Sequence, residues 1–231
     1  MTGIFYRKPA YDFLEMPKNS LPSPKQARAK DTVQRLISAT DAALREGGES
    51  AVRVQDISAS TGISIGSIYH HFKDRDGLIR ATLAHNYARV VEADLPAVKN
   101  FMTSIADTNE LSGRYDEMLE FVTGHFKNQS ALERAAIVGT SAGRPLMQAE
   151  LSKVQHQLNE SATEVMQIAA ERNMLKSHLN PRAAAMVILG LLLGRAVAEL
   201  DSDPVCDEDW AKAALSAAGG LFTGPSHSQR K

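Results

Sequence analysis

A serine between two glycines is the first pattern in the chain that could perform chemistry. Gly139, Ser141 and Gly143 fit the motif G-x-S-x-G, which in serine hydrolases forms a sharp strand-to-helix turn that exposes a nucleophile. Residues 135–138 could form the strand, but no other segment shows strand periodicity and no second glycine-rich segment offers an oxyanion hole. No sequence feature places a histidine near Ser141. We therefore expect no enzyme, and a serine hydrolase through 139–143 is a remote alternative.

Metal-ligating residues are sparse. His156 and Glu160 are four residues apart, on one face of a predicted helix, but no third ligand accompanies them. The single cysteine, Cys206, excludes a disulfide framework and a multi-cysteine metal site. The sequence thus predicts neither a bound metal nor another cofactor.

A cluster of aromatic and basic residues has a different chemistry. Tyr69 and His70 stand shortly before Lys73 and Arg75, a combination of side chains suited to holding phosphate groups. They follow two short predicted helices, of which the first carries Val54, Ile57 and Thr61 on its inner face.

The connection between these two helices is a tight turn. Gly62 can adopt the positive φ that such a turn requires, and Ser64 stands where an N-cap belongs. Spacing directs Ile68 and Phe72 inward, and it leaves the other face of the second helix exposed. This arrangement is a helix-turn-helix whose second helix is short enough to enter a DNA major groove.

The whole segment closely resembles the DNA-binding domain of the TetR family of bacterial transcription regulators. The resemblance covers residues 25 to about 91 and is carried by an ordered string of features. These are a long first helix ending in glycine, Asp56-Ile57 before Gly62, the run from Ser64 to Phe72, and Lys73-Asp74-Arg75 before Leu78.

The resemblance implies a role for each exposed position. Family members grip phosphates at the places held here by Ser67, Tyr69, His71 and Arg75, and they read bases at those held by Gln55, Ile65 and Gly66. Including the flanking His70 and Lys73, the expected DNA-binding residues are Gln55, Ile65, Gly66, Ser67, Tyr69, His70, His71, Lys73 and Arg75.

Two positions depart from the family pattern. Ile65 stands where a polar or basic residue is common, so we expect readout there through a methyl contact, for example to thymine. Arg53 replaces the usual Ser or Thr cap, so we expect the helix that carries Gln55 to be poorly capped.

Charge distribution agrees with this interpretation. The 231-residue chain has a net charge of −1, which by itself predicts no polyanion binder. Residues 1–92, however, carry 13 Lys and Arg against 10 Asp and Glu, whereas the remainder carries 13 against 17. The N-terminal part, which carries the DNA-binding segment, is therefore slightly basic, and residues 93–231 are slightly acidic.

Hydrophobic periodicity predicts an all-α fold with an N-terminal three-helix helix-turn-helix head and a C-terminal helical bundle. We expect a proline-rich N-terminal arm at 1–24, either disordered or contacting the minor groove through Arg7 and Lys8. The predicted DNA-binding domain is 25–74, the ligand-binding and dimerisation domain 75–222, and a flexible tail 223–231. After residue 96 the predicted helices are 98–107, 113–127, 130–143, 145–176, 181–200 and 207–222.

The helix predicted at 181–200 is apolar almost all round, which indicates burial on more than one side. Its apolar run, residues 183–194, has 12 residues and is too short to span a bilayer. Together with 207–222, the resemblance implies a four-helix dimer interface. Its expected residues are Met186, Gly190, Leu193, Gly194, Val197, Trp210 and Leu215.

In the family, the helices predicted at 113–127, 130–143 and 145–176 would enclose an effector pocket. Apolar residues dominate this region, so the effector would be apolar or amphipathic. Candidate pocket residues are Tyr115, Met118, Phe121, Val122, His125, Phe126, Ile137, Thr140, Ser141, Arg144, Met147 and Met166.

Together these features predict a cytoplasmic, homodimeric transcription regulator. The expected protein is a repressor that binds a palindromic double-stranded DNA operator, with no membrane partner; the resemblance implies that a small-molecule effector releases it from the operator. The alternative is a helical ligand- or partner-binding module without operator binding.

Overall fold

The structure is a computed structural model and describes residues 24–92, 95–128 and 131–224. The predicted arm, except Pro24, lies outside the described residues, as do residues 225–231 of the predicted tail. The side chain of Phe126 is also outside them. Within the described ranges the chain is helical, and the one β-bridge joins Leu175 and Phe222. The predicted all-α fold is confirmed.

The described residues form eleven helices, whose bounds follow in chain order. They are α1 (Pro24–Ala51), α2 (Val54–Thr61), α3 (Ile65–Phe72), α4 (Arg75–Glu92), α5 (Leu95–Ser104), α6 (Thr108–Gly113), α7 (Tyr115–Asn128), α8 (Ala131–Gly139), α9 (Pro145–Glu171), α10 (Pro181–Glu199) and α11 (Asp207–Gly219).

The chain divides into two compact units, and the division falls after Asn86. The N-terminal unit (24–86) is larger than the 25–74 predicted from the sequence. The reason is that Leu78 and Ala81, in the first two turns of α4, pack in the same core as Leu36 and Ile68. The remaining described residues, 87–224, form the C-terminal unit.

Helix ends differ from the predictions where local capping decides them. The glycine pair does interrupt α1: Gly48 has φ +65° and ψ −160°, a region accessible only to glycine, but a final turn continues to Ala51. Helix α8 stops at Gly139 instead of residue 143. The short α6 was not predicted; Asp107 initiates it by accepting hydrogen bonds from the backbone N–H groups of Asn109 and Glu110.

The C-terminal unit has its own core, in which α5, α6, α9 and α10 meet. Ile105 and Ala169 are completely buried there. Arg172 ties α9 to the end of α5, because its guanidinium donates to the backbone oxygens of Met102 and Thr103, each at 2.9 Å. The Glu199 carboxylate accepts hydrogen bonds of 3.0 Å from the N–H groups of Ala131 and Leu132, and these bonds join the end of α10 to the start of α8.

Candidate nucleic-acid interface and ligand cavity

The turn between α2 and α3 has the geometry of a helix-turn-helix. Gly62 adopts φ +69° and its N–H donates to the oxygen of Ser58 at 2.9 Å. The Ser58 hydroxyl donates across the turn to the oxygen of Ile63 at 2.7 Å. Ser64 caps α3 by accepting from the N–H of Ser67 at 3.2 Å, as the sequence predicted. These bonds fix the start of α3 relative to α2.

Helix α3 has one buried and one exposed face. Ile68 and Phe72 are buried with Ile57 of α2, whereas Tyr69 keeps 45% of its surface exposed. The prediction that Tyr69 is a surface residue is therefore confirmed. The exposed residues of this face include Ile65, Gly66, Tyr69 and His70.

Helix α2 lacks a side-chain cap. Arg53 occupies the N-cap position in an extended conformation and makes no capping hydrogen bond, which confirms the poor capping predicted from its residue type. Both Arg53 and Gln55 are exposed. The Gln55 side chain therefore stands at the solvent surface of α2.

The corner between α3 and α4 is unusually tight. Lys73 has φ +70° and ψ −52°, and the N–H of Asp74 donates to the oxygen of Phe72 at 2.9 Å, which together define a γ-turn with positive φ. This conformation is strained for a residue with a Cβ. Asp74 then caps α4 by accepting from the N–H of Gly77 at 2.5 Å.

Arg75 begins α4 and holds this corner to the α1–α2 connection. Its Nε donates to the oxygen of Val52 at 2.8 Å, and its Nη2 donates to the oxygen of Glu49. Its Nη1 pairs with Asp76 at 3.2 Å, and 39% of the side chain is exposed. Arg75 thus has a structural role in addition to the phosphate contact that the resemblance implies.

His71 is half-buried beside this exposed face. Burial lowers the pKa of its imidazole, and the adjacent His70 lowers that pKa further. The neutral form of His71 is therefore favoured at pH 7.

The C-terminal unit contains a cavity of about 720 Å³, a volume in the usual range for small-molecule sites. Its walls come from α5 to α11 and are mainly apolar. Six of the predicted pocket residues line it: Tyr115, Met118, Phe121, Val122, His125 and Met166.

Five other predicted pocket residues do not line this cavity, and here the prediction differs from the structure. Because α8 ends at Gly139, residues 140–143 form a turn, in which the Thr140 and Ser141 hydroxyls donate to backbone oxygens of α8. Arg144 precedes α9, and Ile137 and Met147 are buried elsewhere.

The sequence reasoning missed the walls supplied by α5, α6, α10 and α11, and it missed one buried arginine. Arg134 lines the cavity and is only 5% exposed. It lies three residues from both Ala131 and Ile137, which are also buried. This i, i+3 spacing could have indicated that Arg134 faces inward.

The structure removes the chemical basis for the hydrolase alternative. The segment before Ser141 is helix α8 instead of a strand, and the Ser141 hydroxyl donates to the oxygen of Val138 at 2.7 Å. Glu160, half of the candidate metal pair, accepts a hydrogen bond from Arg182, which lowers the pKa of its carboxyl group. No group of three or more potential metal ligands occurs in the described part of the chain.

The predicted interface residues of α10 and α11 fall into two sets. Gly190 and Val197 are exposed, the latter by 75%, whereas Leu193, Gly194 and Trp210 are half-buried. Met186 and Leu215 are half-buried as well; within the chain, Met186 packs on the core and Leu215 lines the cavity.

Between these predicted interface residues of α10 and α11, Arg195 pairs with Asp207 at 2.9 Å and lies over the Trp210 ring. By length and composition alone, the 19-residue helix α10 could cross a bilayer; this differs from the expectation drawn from its 12-residue uncharged run.

Comparisons with known proteins agree with the geometry of the N-terminal unit. Residues 36–82 match the model of the tetR family of bacterial regulatory proteins. The HTH-type transcriptional regulator UidR of Escherichia coli (strain K12) is 23% identical over 202 residues, which cover 86% of this chain and 96% of UidR. The HTH-type transcriptional regulator BetI of Serratia proteamaculans (strain 568) is 33% identical over 104 residues, which cover 45% of this chain and 48% of BetI.

A solved structure shows the same fold over most of the chain. It is that of a protein assigned to the TetR family of transcriptional regulators from Mesorhizobium loti MAFF303099, with a TM-score of 0.67 and 17% identity. The superposition covers 84% of this chain and 98% of that one. The matched relatives are transcription regulators and not enzymes. Residues 36–82 therefore carry a helix-turn-helix DNA-binding domain of the TetR family, and over most of its length the chain is similar to TetR-family transcriptional regulators.

Proposed function

We propose that this regulator is a homodimeric, cytoplasmic repressor that binds a palindromic operator and leaves it when a small apolar or amphipathic effector occupies the C-terminal cavity. The observation that carries the proposal is the cavity of about 720 Å³ in the C-terminal unit. The same chain carries the exposed α3 face. Helix α4 is continuous from Arg75, in the N-terminal unit, to residues of the C-terminal unit. An effector in the cavity could therefore act on the DNA-binding unit through this helix.

The residues on the exposed side of the helix-turn-helix support two kinds of DNA contact, those that hold phosphates and those that read base edges. Ser67, Tyr69, His71 and Arg75 would contact phosphates, with His70 and Lys73 beside them. Gln55, Ile65 and Gly66 would face the base edges. A glutamine can bond an adenine edge bidentately, and Ile65 can contact a thymine methyl group.

The exposed face of α10 supports the homodimer. Val187, Val197 and Leu200 are 50%, 75% and 70% exposed, and Gly190 beside them would permit close helix approach. The polar residues of this helix are engaged within the chain, Arg195 with Asp207 and Glu199 with the start of α8. A second copy covering this face with the same face buries apolar surface on both sides, and two helix-turn-helix units can then bind two half-sites.

Selection from a random duplex library with the purified protein tests the DNA side of this proposal, with light scattering for the mass in solution. We expect an inverted repeat and the mass of a dimer. Val197→Glu would place a charge in the proposed interface and should give monomers that bind the repeat weakly, whereas Glu208→Gln, at an exposed site on α11, should remain dimeric. Enrichment of no sequence would favour the alternative of a helical module without operator binding.

A further inference from the structure

The cavity wall combines an apolar surface with one deeply buried cation. Arg134, on α8, is 5% exposed, and the same wall includes the apolar residues Phe121, Leu158 and Val165. Removing a guanidinium from water is costly unless hydrogen bonds and opposite charge compensate for the loss.

A side-chain hydrogen bond to Tyr87 links this guanidinium to neighbouring helices. Arg134 bonds the side chain of Tyr87, whose pKa is raised by burial and, to a smaller extent, lowered by Arg134. The Tyr87 hydroxyl donates to Oε1 of Gln155, and Nε2 of Gln155 donates to Oδ1 of Asn159 at 2.6 Å. This chain of side chains connects α8, α4 and α9.

The acidic residue of the cavity wall is placed differently. Glu117 is exposed, and both of its carboxylate oxygens accept hydrogen bonds from Arg114, at 2.7 and 2.6 Å. These bonds lower the pKa of the Glu117 carboxyl group. Its charge is therefore paired with an arginine and exposed to water, so Glu117 would bind a cationic ligand only weakly.

We propose that the cavity takes an amphiphile with an anionic head group, a carboxylate on an apolar chain, and that Arg134 binds the carboxylate. This inference rests on the proposed ligand-binding function of the cavity and adds the chemical class of the ligand. The planar guanidinium fork matches a carboxylate bidentately. The apolar walls contributed by α5, α7, α9 and α10 receive the alkyl chain.

Displacement of the neutral fluorescent probe N-phenyl-1-naphthylamine from the full-length protein tests the proposal. Three competitors share one chain length and differ in the head group: decanoate, decanol and decyltrimethylammonium. Charge-assisted hydrogen bonds predict that decanoate binds about 10- to 100-fold more tightly than decanol. Decyltrimethylammonium should bind most weakly.

Substitution of Arg134 identifies the group that recognises the carboxylate. Arg134→Gln should bring decanoate and decanol to similar affinities, and Arg134→Lys should retain part of the preference. Arg195→Gln is the matched control, since Arg195 is equally buried, at 6% exposure, but does not line the cavity. That variant should keep the full preference for decanoate.

The competitors distinguish the chemical class of the ligand from ligand binding itself. Equal affinities for decanoate and decanol in the unmodified protein, or tightest binding of the ammonium compound, would overturn the anionic class and leave the cavity as a ligand site. The unmodified protein alone decides this, even if a variant folds poorly. Failure of the probe and all three competitors to bind would overturn the ligand-binding function as well.

Discussion

Gly77 is the position where the structure of the N-terminal unit tolerates least change. A Cβ added there would lie 1.9 Å from the backbone oxygen of Phe72 and 3.2 Å from Oδ1 of Asp74. Carbon–oxygen contacts in proteins are about 3.3 Å or longer, so Gly77→Ala requires the α3–α4 corner to open by more than about 1 Å. The obstacle is backbone and cannot move aside by rotating a side chain.

The expected magnitude follows from two opposing effects. Overpacking a folded site costs about 1–3 kcal/mol, and more when the backbone must shift. Alanine gains about 1 kcal/mol over glycine in a helix. We expect the steric cost to exceed this gain, so Gly77→Ala should lower the free energy of unfolding of the N-terminal unit by about 2 kcal/mol, a large fraction of the stability of a small domain.

Urea unfolding followed by far-UV circular dichroism measures this loss. The single tryptophan, Trp210, lies in the C-terminal unit, and its fluorescence provides an internal comparison for that unit. Gly66→Ala is the matched control, because a Cβ there would meet nothing closer than Oγ of Ser64 at 4.0 Å, and alanine should stabilise α3. An unfolding midpoint for Gly77→Ala equal to or above that of the unmodified protein would refute the steric argument.

Four further predictions concern the same unit. If Arg75 contacts a phosphate, Arg75→Ala should lower the slope of log affinity for DNA against log salt concentration by about 1 per protomer. A lower affinity with an unchanged slope would show that Arg75 acts only through its bonds to residues 49 and 52. Gln55→Ala should relax the preference at one base pair per half-site by about 1–3 kcal/mol, and an unchanged preferred sequence in a repeated selection would exclude base readout. Because the pKa of His71 is lowered in the fold, protonation favours the unfolded chain. Its contribution to stability is present above the ordinary histidine pKa of about 6.5 and is lost as the pH falls through the lower folded value. His71→Asn should therefore reduce the pH dependence of the free energy of unfolding, measured by urea titrations at pH 7.5 and 5.5. The same pH dependence in the variant and the unmodified protein would contradict this prediction. Lys73→Gly should raise the unfolding midpoint by relieving the positive-φ strain, while a lowered midpoint would show that this strain is not significant.

Local chemistry made the DNA-binding unit predictable from the sequence. Gly62 and Ser64 specify the turn and the following cap through their own backbone and side-chain properties. The inward direction of Ile68 and Phe72 follows from helical spacing. The γ-turn at Lys73 could not be predicted, because a positive φ at lysine arises only where the packing of α3 and α4 demands it.

The C-terminal unit was less predictable because its cavity depends on which helices meet. Five of the α7 residues predicted for the pocket line the cavity, whereas the walls from α5 and α11 come together only through the tertiary fold. Residues 140–143 were predicted to continue the helix, yet α8 stops at Gly139. The inward direction of Arg134 contradicts the usual exposure of arginine, and only its spacing from Ala131 and Ile137 indicated it.

The central claim is that occupancy of the cavity controls DNA binding, and one titration tests it directly. The affinity for the selected inverted repeat is measured by fluorescence anisotropy with and without a ligand already shown to displace the probe. We expect saturating ligand to weaken binding by about 5- to 150-fold, the usual range of coupling between two sites. An unchanged affinity while the cavity is occupied would contradict the claim.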